Sequence, residues 1–336
     1  MAPQTRSRDQ LGRMIKPIRL GGSKLIEKSL DNMLSQAFDQ VDMFPDPEFR
    51  RRYDNLIGLD DKKALLNKEG RIMIQPTLLD EWSKQYYKKD IQLVNIFRRK
   101  PALFIFSGDV GTGKSSLAET FGEALAREAK LNIYLYRLSL KSRGNGMVGD
   151  MTGLITGAFE AVRSEAKKAV AAKKVNSGYI LLIDEADALA QSRESTQMHH
   201  EDKAGVNALI RGIDTIATAK LPVLVVMCTN RLSALDPAVR RRAASIFEFE
   251  RPNDEQRKAL LGQALVDTGI ASKNLDALVA ATGPSKTRAY GYTFSDLTQR
   301  LLPGILLQAF PDKAIDFTEA IDLAKRLSPT PPFKEI

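Results

Sequence analysis

The spacing of apolar positions changes character along this chain, and the changes mark its organisation. Between residues 25 and 44, Leu30, Met33, Leu34, Ala37, Phe38 and Val41 recur at helical intervals, and Pro45 and Pro47 close the pattern. Gly21-Gly22 separates this predicted helix from the segment before it. A compact turn-like stretch, Tyr53-Asp54-Asn55-Leu56-Ile57-Gly58-Leu59-Asp60, then leads into helical spacing up to about Arg99. From Ala102 the texture becomes strand-like, with apolar runs at 102–107, 132–138, 179–183 and 221–229 and amphipathic helical stretches between them. That alternation predicts an α/β domain with a parallel sheet between helices. Beyond Pro252 only helical spacing remains, at 254–268, 274–281, 295–309 and 318–327. The expected division is a basic arm and helix over 1–52, an α/β domain over 53–251, and a small all-α domain over 252–336.

Composition narrows the chemistry. With 336 residues and 43% hydrophobic content, the chain has ample material for a packed core without disulfide staples. Cys228 is the one cysteine and His199-His200 the one histidine pair, so a multi-cysteine metal site is excluded, and a His-rich centre or a Ser-His-Asp triad is disfavoured unless that pair supplies it. The formal charge of +9 permits acidic partners without requiring nucleic acid. The run 221–228 is far too short to span a bilayer, so a soluble, cytoplasmic protein is expected. Up to Lys28 there are seven Lys/Arg and two acidic residues but no apolar segment of a secretory signal. A flexible basic arm is the preferred reading, with a mitochondrial transit peptide as the alternative.

Two motifs carry the chemistry. Gly108-Asp109-Val110-Gly111-Thr112-Gly113-Lys114-Ser115, followed by Ser116, matches G-x-x-x-x-G-K-[ST] at every fixed position, after a strand run and before a helical one. Glycines let backbone N–H groups turn inward around phosphate oxygens while the following helix points its positive end at them. Lys114 is expected to reach the β- and γ-phosphates and the Ser115 hydroxyl to ligate Mg²⁺. The second motif is Tyr179-Ile180-Leu181-Leu182-Ile183-Asp184-Glu185, an apolar strand ending in two carboxylates. Asp184 there suits the Mg²⁺ shell, and Glu185 suits polarising the attacking water. The run 221–229 ends in Asn230, whose amide could orient that water, while Cys228 reads as a small core residue.

These residues, in this order, resemble an AAA+ ATPase over roughly 53–327. The resemblance implies that Ile57-Gly58 contacts the adenine. It implies that Asp236-Pro237-Ala238-Val239-Arg240-Arg241-Arg242 holds an arginine finger reaching a neighbouring subunit. Arg241 matches by the broad family and Arg242 by the most similar-looking branch. Gly144-Asn145-Gly146-Met147-Val148-Gly149-Asp150 resembles the substrate-gripping pore loop, with Met147 in place of the usual aromatic and Val148 and Gly149 after it. The polar stretch 192–203 resembles a second pore loop. Tyr292-Thr293-Phe294-Ser295-Asp296-Leu297 resembles the nucleotide-facing lid segment, with Ser295 toward the nucleotide. The Gly-Ala pair and clear sensor arginine of some branches are missing, leaving Arg300 as a substitute.

Ala204-Gly205-Val206-Asn207-Ala208-Leu209-Ile210 after the second pore loop, the segment 236–242 and Leu301-Leu302-Pro303 are similar to the pachytene-checkpoint and thyroid-receptor-interactor type, which remodels HORMA-domain proteins. The compact N-terminal region is more like bacterial relatives linked to anti-phage signalling. The implied function is ATP hydrolysis to ADP and phosphate, with Mg²⁺, by a homo-oligomeric ring, a hexamer by resemblance, that pulls a HORMA-domain protein through a central pore. The alternatives are a nucleic-acid-associated loader and another remodeller of Rubisco-activase-like or unfoldase type. No zinc finger, RNA-binding aromatic motif or obvious helix-turn-helix favours the loader.

Overall fold

The computed structural model describes residues 37–138, 150–171, 177–188, 200–286 and 288–333. Its centre is a six-stranded sheet built from β1 (Phe38–Phe44), β2 (Leu103–Gly108), β3 (Asn132–Leu138), β4 (Ser177–Ile183), β5 (Val223–Thr229) and β6 (Ser245–Phe249), in the order β1-β3-β4-β5-β2-β6. All neighbours are parallel except β1 against β3. The central strands read as unbroken apolar runs because both of their faces are covered.

Alternate side chains of the central strands enter two separate cores. Leu103 and Ile105 join Ile155, Phe159 and Val162 of α6 (Asp150–Ala171) and Val206, Leu209 and Ile213 of α7 (His200–Ala219). Phe104 and Phe106 join Leu66 and Ile74 of α2 (Asp60–Ile74) and Leu117, Phe121 and Leu125 of α5 (Lys114–Ala129) on the other face. Before β2 the chain also forms α1 (Pro47–Asp54), α3 (Thr77–Tyr87) and α4 (Gln92–Phe97).

The predicted helix over 25–44 is corrected at its second half, where residues Phe38–Phe44 form β1. Its first part, to residue 36, lies outside the described residues. Phe38, Val41 and Phe44 satisfy a helical spacing, but pairing decides. Val41 faces Tyr136 and Phe44 faces Ile133, the Phe38 ring meets the Tyr136 ring edge-on at 5.0 Å, and Arg137 ion-pairs with Asp42 at 2.9 Å. Phe44 is fully buried against α5, where a Cβ on Gly122 would come within 2.6 Å of its ring. β6 was not anticipated either. At the opposite edge of the sheet Phe247 and Phe249 are buried while Ile246 and Glu248 are exposed, so its apolar run is short and broken by Glu248.

The C-terminal region is helical, as expected. It holds α9 (Asp254–Ala264), α10 (Ser272–Thr282), a π-helical turn at Asp296–Leu301, α11 (Leu302–Ala309) and α12 (Phe317–Arg326), around a third core. The short helix α8 (Pro237–Arg240) precedes β6. An Asn253–Gln256 capping box starts α9, and the Gln256 amide donates to the Gly58 carbonyl at 2.7 Å, tying this region to the segment before α2. Tyr292 is buried with its hydroxyl 2.8 Å from the carbonyls of both Ala324 and Leu327. Among the described residues no helix is long and apolar enough to cross a membrane.

Candidate functional site

A cleft of about 360 Å³ opens at the carboxyl ends of β2, β4 and β5, where ligands of parallel sheets collect. One wall is the β2–α5 loop. The other comes from the helical region and the segment before α2. The structure brings Ile57, Val110, Gly111, Gly113, Lys114, Ser115, Ser116, Asp184, Glu185, Asn230 and Ser295 into this cleft.

The loop is shaped by positions that only glycine fits. Gly108 has φ +146°, and a Cβ there would lie 2.0 Å from the Phe249 carbonyl oxygen. Gly111 has φ +74°, and its Cβ would meet Thr293 Oγ1 at 2.7 Å. Thr112 is buried and its hydroxyl donates to the Asp109 carbonyl at 2.8 Å, closing the loop on itself. Helix α5 then begins at Gly113 without a side-chain cap. Its first N–H groups therefore remain available to an anion at the positive end of the helix.

Lys114 is buried, and its ammonium donates to the carbonyls of Gly108 at 3.0 Å and Asp109 at 2.7 Å. Burial holds its pKa below the ordinary lysine range, opposed by the nearby Asp184 carboxylate. A cation that is desolvated and held only by neutral carbonyls is poised to take phosphate oxygens.

At the end of β4, Asp184 Oδ1 accepts the Glu185 N–H at 2.9 Å, and Glu185 adopts φ +51°. That left-handed conformation is costly for a non-glycine residue and clusters at functional positions. It turns Glu185 out of the strand direction into the cleft. Cys228 is also in the lining, although buried, and burial pushes its thiol pKa well up, so it remains a neutral wall atom.

Other predicted residues stand elsewhere. Gly58, Gly108, Asp109 and Thr112 support the cleft from behind its lining. Arg300 donates to Asp296 and to the Ser328 carbonyl, both at 3.0 Å, while Thr298 and Gln299 face the cleft from the same turn. Arg242 is bound bidentately by Asp214 of α7, at 2.7 and 2.8 Å, and donates to the Ala238 carbonyl. Arg241, next to it, is exposed and has no side-chain partner among the described residues. Met147, Val148 and Gly149 lie outside the described residues, as does 192–199 of the second loop. Leu260, Thr298 and Gln299 were not singled out in the sequence. Their helical positions carry no motif, and only the fold places them against the cleft.

Comparison with known proteins agrees with this geometry. Residues 104–251 match the ATPase family associated with various cellular activities (AAA). CD-NTase-associated protein 6 of Escherichia coli strain MS 115-1 is 49% identical over 301 residues, covering 89% of this chain and 97% of that protein. Among solved structures, a chain of the E. coli MS115-1 HORMA:CdnC:Trip13 complex superposes with TM-score 0.85 at 49% identity, covering 90% of this chain and 99% of that one. Rhizobiales Trip13 superposes with TM-score 0.70 at 42% identity, covering 88% of this chain and all of that one. A loop built for phosphate, an acidic pair at the end of β4 and relatives aligned along nearly their whole length agree: this chain belongs to the AAA ATPases, with the Trip13-like CD-NTase-associated protein 6 relatives.

Proposed function

We propose that this ATPase is a ring-forming remodeller that uses ATP hydrolysis to change the conformation of a HORMA-domain protein, in bacterial anti-phage signalling. The observation that carries this reading is the pairing of a cleft that gathers Lys114, Ser115, Asp184, Glu185 and Asn230 with a relative, 49% identical, seen in a complex with HORMA and CdnC. In the proposed reaction the Lys114 ammonium leaves the Gly108 and Asp109 carbonyls for the β- and γ-phosphates. Glu185 and Asn230 orient a water toward the γ-phosphorus. Mg²⁺ would supply charge neutralisation on the β,γ-phosphate oxygens, held by Ser115 and by Asp184, partly through water. Both residues reach the cleft, and few protein ligands suffice for an ion that keeps its waters and phosphates.

Arg241 is the favoured finger in trans because its side chain is uncommitted, while Arg242 is anchored to Asp214. Ile57 and Gly58 take the adenine side, Ser295 the lid side, and Arg300 supports the lid rather than the nucleotide. Met147, Val148 and Gly149 are assigned the substrate-gripping pore loop of a hexamer. The catalytic and lid units are assigned to 53–251 and 252–336, with β1 added to the first, and the protein to the cytoplasm.

The test is ATP hydrolysis with and without a HORMA-domain partner, followed by a readout of partner conformation, with DNA as the control. Stimulation and conversion by the HORMA-domain protein are expected. Stimulation by DNA alone would favour the loader.

A further inference from the structure

The segment 328–333 returns from the end of α12 to three parts of the molecule. The Thr330 N–H and hydroxyl donate to the two carboxylate oxygens of buried Asp296, at 3.0 and 2.7 Å, and the Ser328 carbonyl accepts from Arg300. Three residues further, the Phe333 N–H donates to Asp109 Oδ1 at 3.1 Å, and its ring lies 5.1 Å from the guanidinium of Arg231. Asp109 belongs to the phosphate loop, and Arg231 directly follows Asn230. The other oxygen of Asp109 is bound by Arg251 at 2.8 and 2.5 Å. Arg251 in turn donates to the Gly291 carbonyl at 2.7 Å and lies over the Tyr290 ring at 4.8 Å. A single carboxylate thus gathers the phosphate loop, the chain leaving β6, the helical region and segment 328–333.

None of Asp109, Arg231, Arg251, Thr330 or Phe333 lines the cleft. Their effect must pass through its walls. The helical region supplies Phe294, Ser295, Thr298 and Gln299 to one wall, and the Ser295 N–H donates directly to the Gly111 carbonyl at 3.1 Å. How firmly that wall sits on the phosphate loop depends on the ties between them.

We propose that Thr330 and Phe333 are positioning residues of the nucleotide site: segment 328–333 straps the helical region to the phosphate loop through Asp109 and to the end of β5 through Arg231. The strap sets how long the closed cleft retains nucleotide. The inference rests on the cleft being the ATP site. It predicts a change in nucleotide retention rather than in chemistry, because no strap residue is placed to touch the γ-phosphate.

The experiment uses the full chain, Phe333→Ala, Phe333→Tyr and a chain stopped after Pro332, which leaves Thr330 on Asp296. Fluorescent ADP release, KM for ATP, kcat and apo-protein Tm are measured on each. Loss of one partly exposed cation–π contact or one hydrogen bond corresponds to about 3- to 10-fold. Phe333→Ala and the stopped chain should release ADP faster and raise KM by that factor at nearly unchanged kcat, and Phe333→Tyr should behave as the parent. A stopped chain that keeps the parental release rate and KM overturns the proposal. A fall in Tm with both unchanged does so as well, since it marks a purely structural role. Lys114→Ala separates the two levels: if it retains full nucleotide binding, the ATP-site reading fails, whatever the strap variants do.

Discussion

Two adjacent arginines should give opposite signatures, because the structure commits one and leaves the other free. Arg242 holds Asp214 with two charge-assisted bonds at 2.7 and 2.8 Å, and that hydrogen bond raises its pKa. Asp214 is about half exposed, at 47%, so solvent screening discounts the pair to about 1 kcal/mol even with good bidentate geometry. Arg242→Ala should therefore lower Tm by about 2–4 °C or less in a chain of this size. Arg241 has no such side-chain tie, and Arg241→Ala should leave Tm unchanged. A finger supplied in trans is worth about 10³–10⁵ in turnover, or about 4–7 kcal/mol of barrier. Arg241→Ala should thus lose most ATP hydrolysis while still binding nucleotide, and Arg242→Ala should keep much of it. Mixing Arg241→Ala subunits with Lys114→Ala subunits should restore partial activity, since intact arginines of one can serve intact clefts of the other. Steady-state hydrolysis, thermal unfolding and verified co-assembly are the assays. Near-normal hydrolysis by Arg241→Ala, with collapse in a well-folded Arg242→Ala, would refute the reasoning and move the finger one residue along.

Further outcomes follow from the same geometry. Lys114→Ala should abolish ATP binding, whereas Glu185→Gln should bind ATP and fail to turn it over; titration calorimetry and phosphate release separate the two. Gly111→Ala forces a left-handed φ on a residue with a side chain, at about 1–2 kcal/mol, and drives its methyl into Thr293, so ATP affinity should fall by about tenfold or more. Burial would push the Asp296 carboxyl up, but hydrogen bonds from Thr293 and Thr330 outweigh it and hold the pKa low. Its stabilisation is present above the ordinary carboxyl range and is lost as pH falls through the lowered folded value, so Asp296→Asn should flatten the acid limb of a Tm–pH profile.

The candidate site was legible because its strands are central and its glycines and carboxylates are local. Gly108–Ser116 is contiguous, and β4 and β5 are apolar on both faces, so periodicity and motif agreed. The sheet edges were not legible. β1 satisfies a helical spacing until β3 pairs with it, and β6 is only five residues long with its apolar run broken by Glu248. Nor did sequence distinguish Arg241 from Arg242, since the deciding partner, Asp214, lies 28 residues earlier on another helix. On the far wall the resemblance marked Ser295, but Leu260, Thr298 and Gln299, like the Phe333–Asp109 bond that joins residues 224 apart, are placed only by tertiary packing.

Hydrolysis in this cleft is proposed to drive remodelling of a HORMA-domain protein. The most direct test is ATP-dependent conversion of such a partner between conformers by the parent protein and by Met147→Asp, with hydrolysis followed in the same sample. The parent should convert the partner and be stimulated by it. Met147→Asp should retain basal hydrolysis and lose conversion, because under the proposed pore-loop role a solvated charge would replace an apolar contact worth about 1.5–3 kcal/mol in each subunit. Full conversion by Met147→Asp would contradict threading through that loop, and a parent that hydrolyses ATP without converting any HORMA-domain partner would contradict the proposal itself.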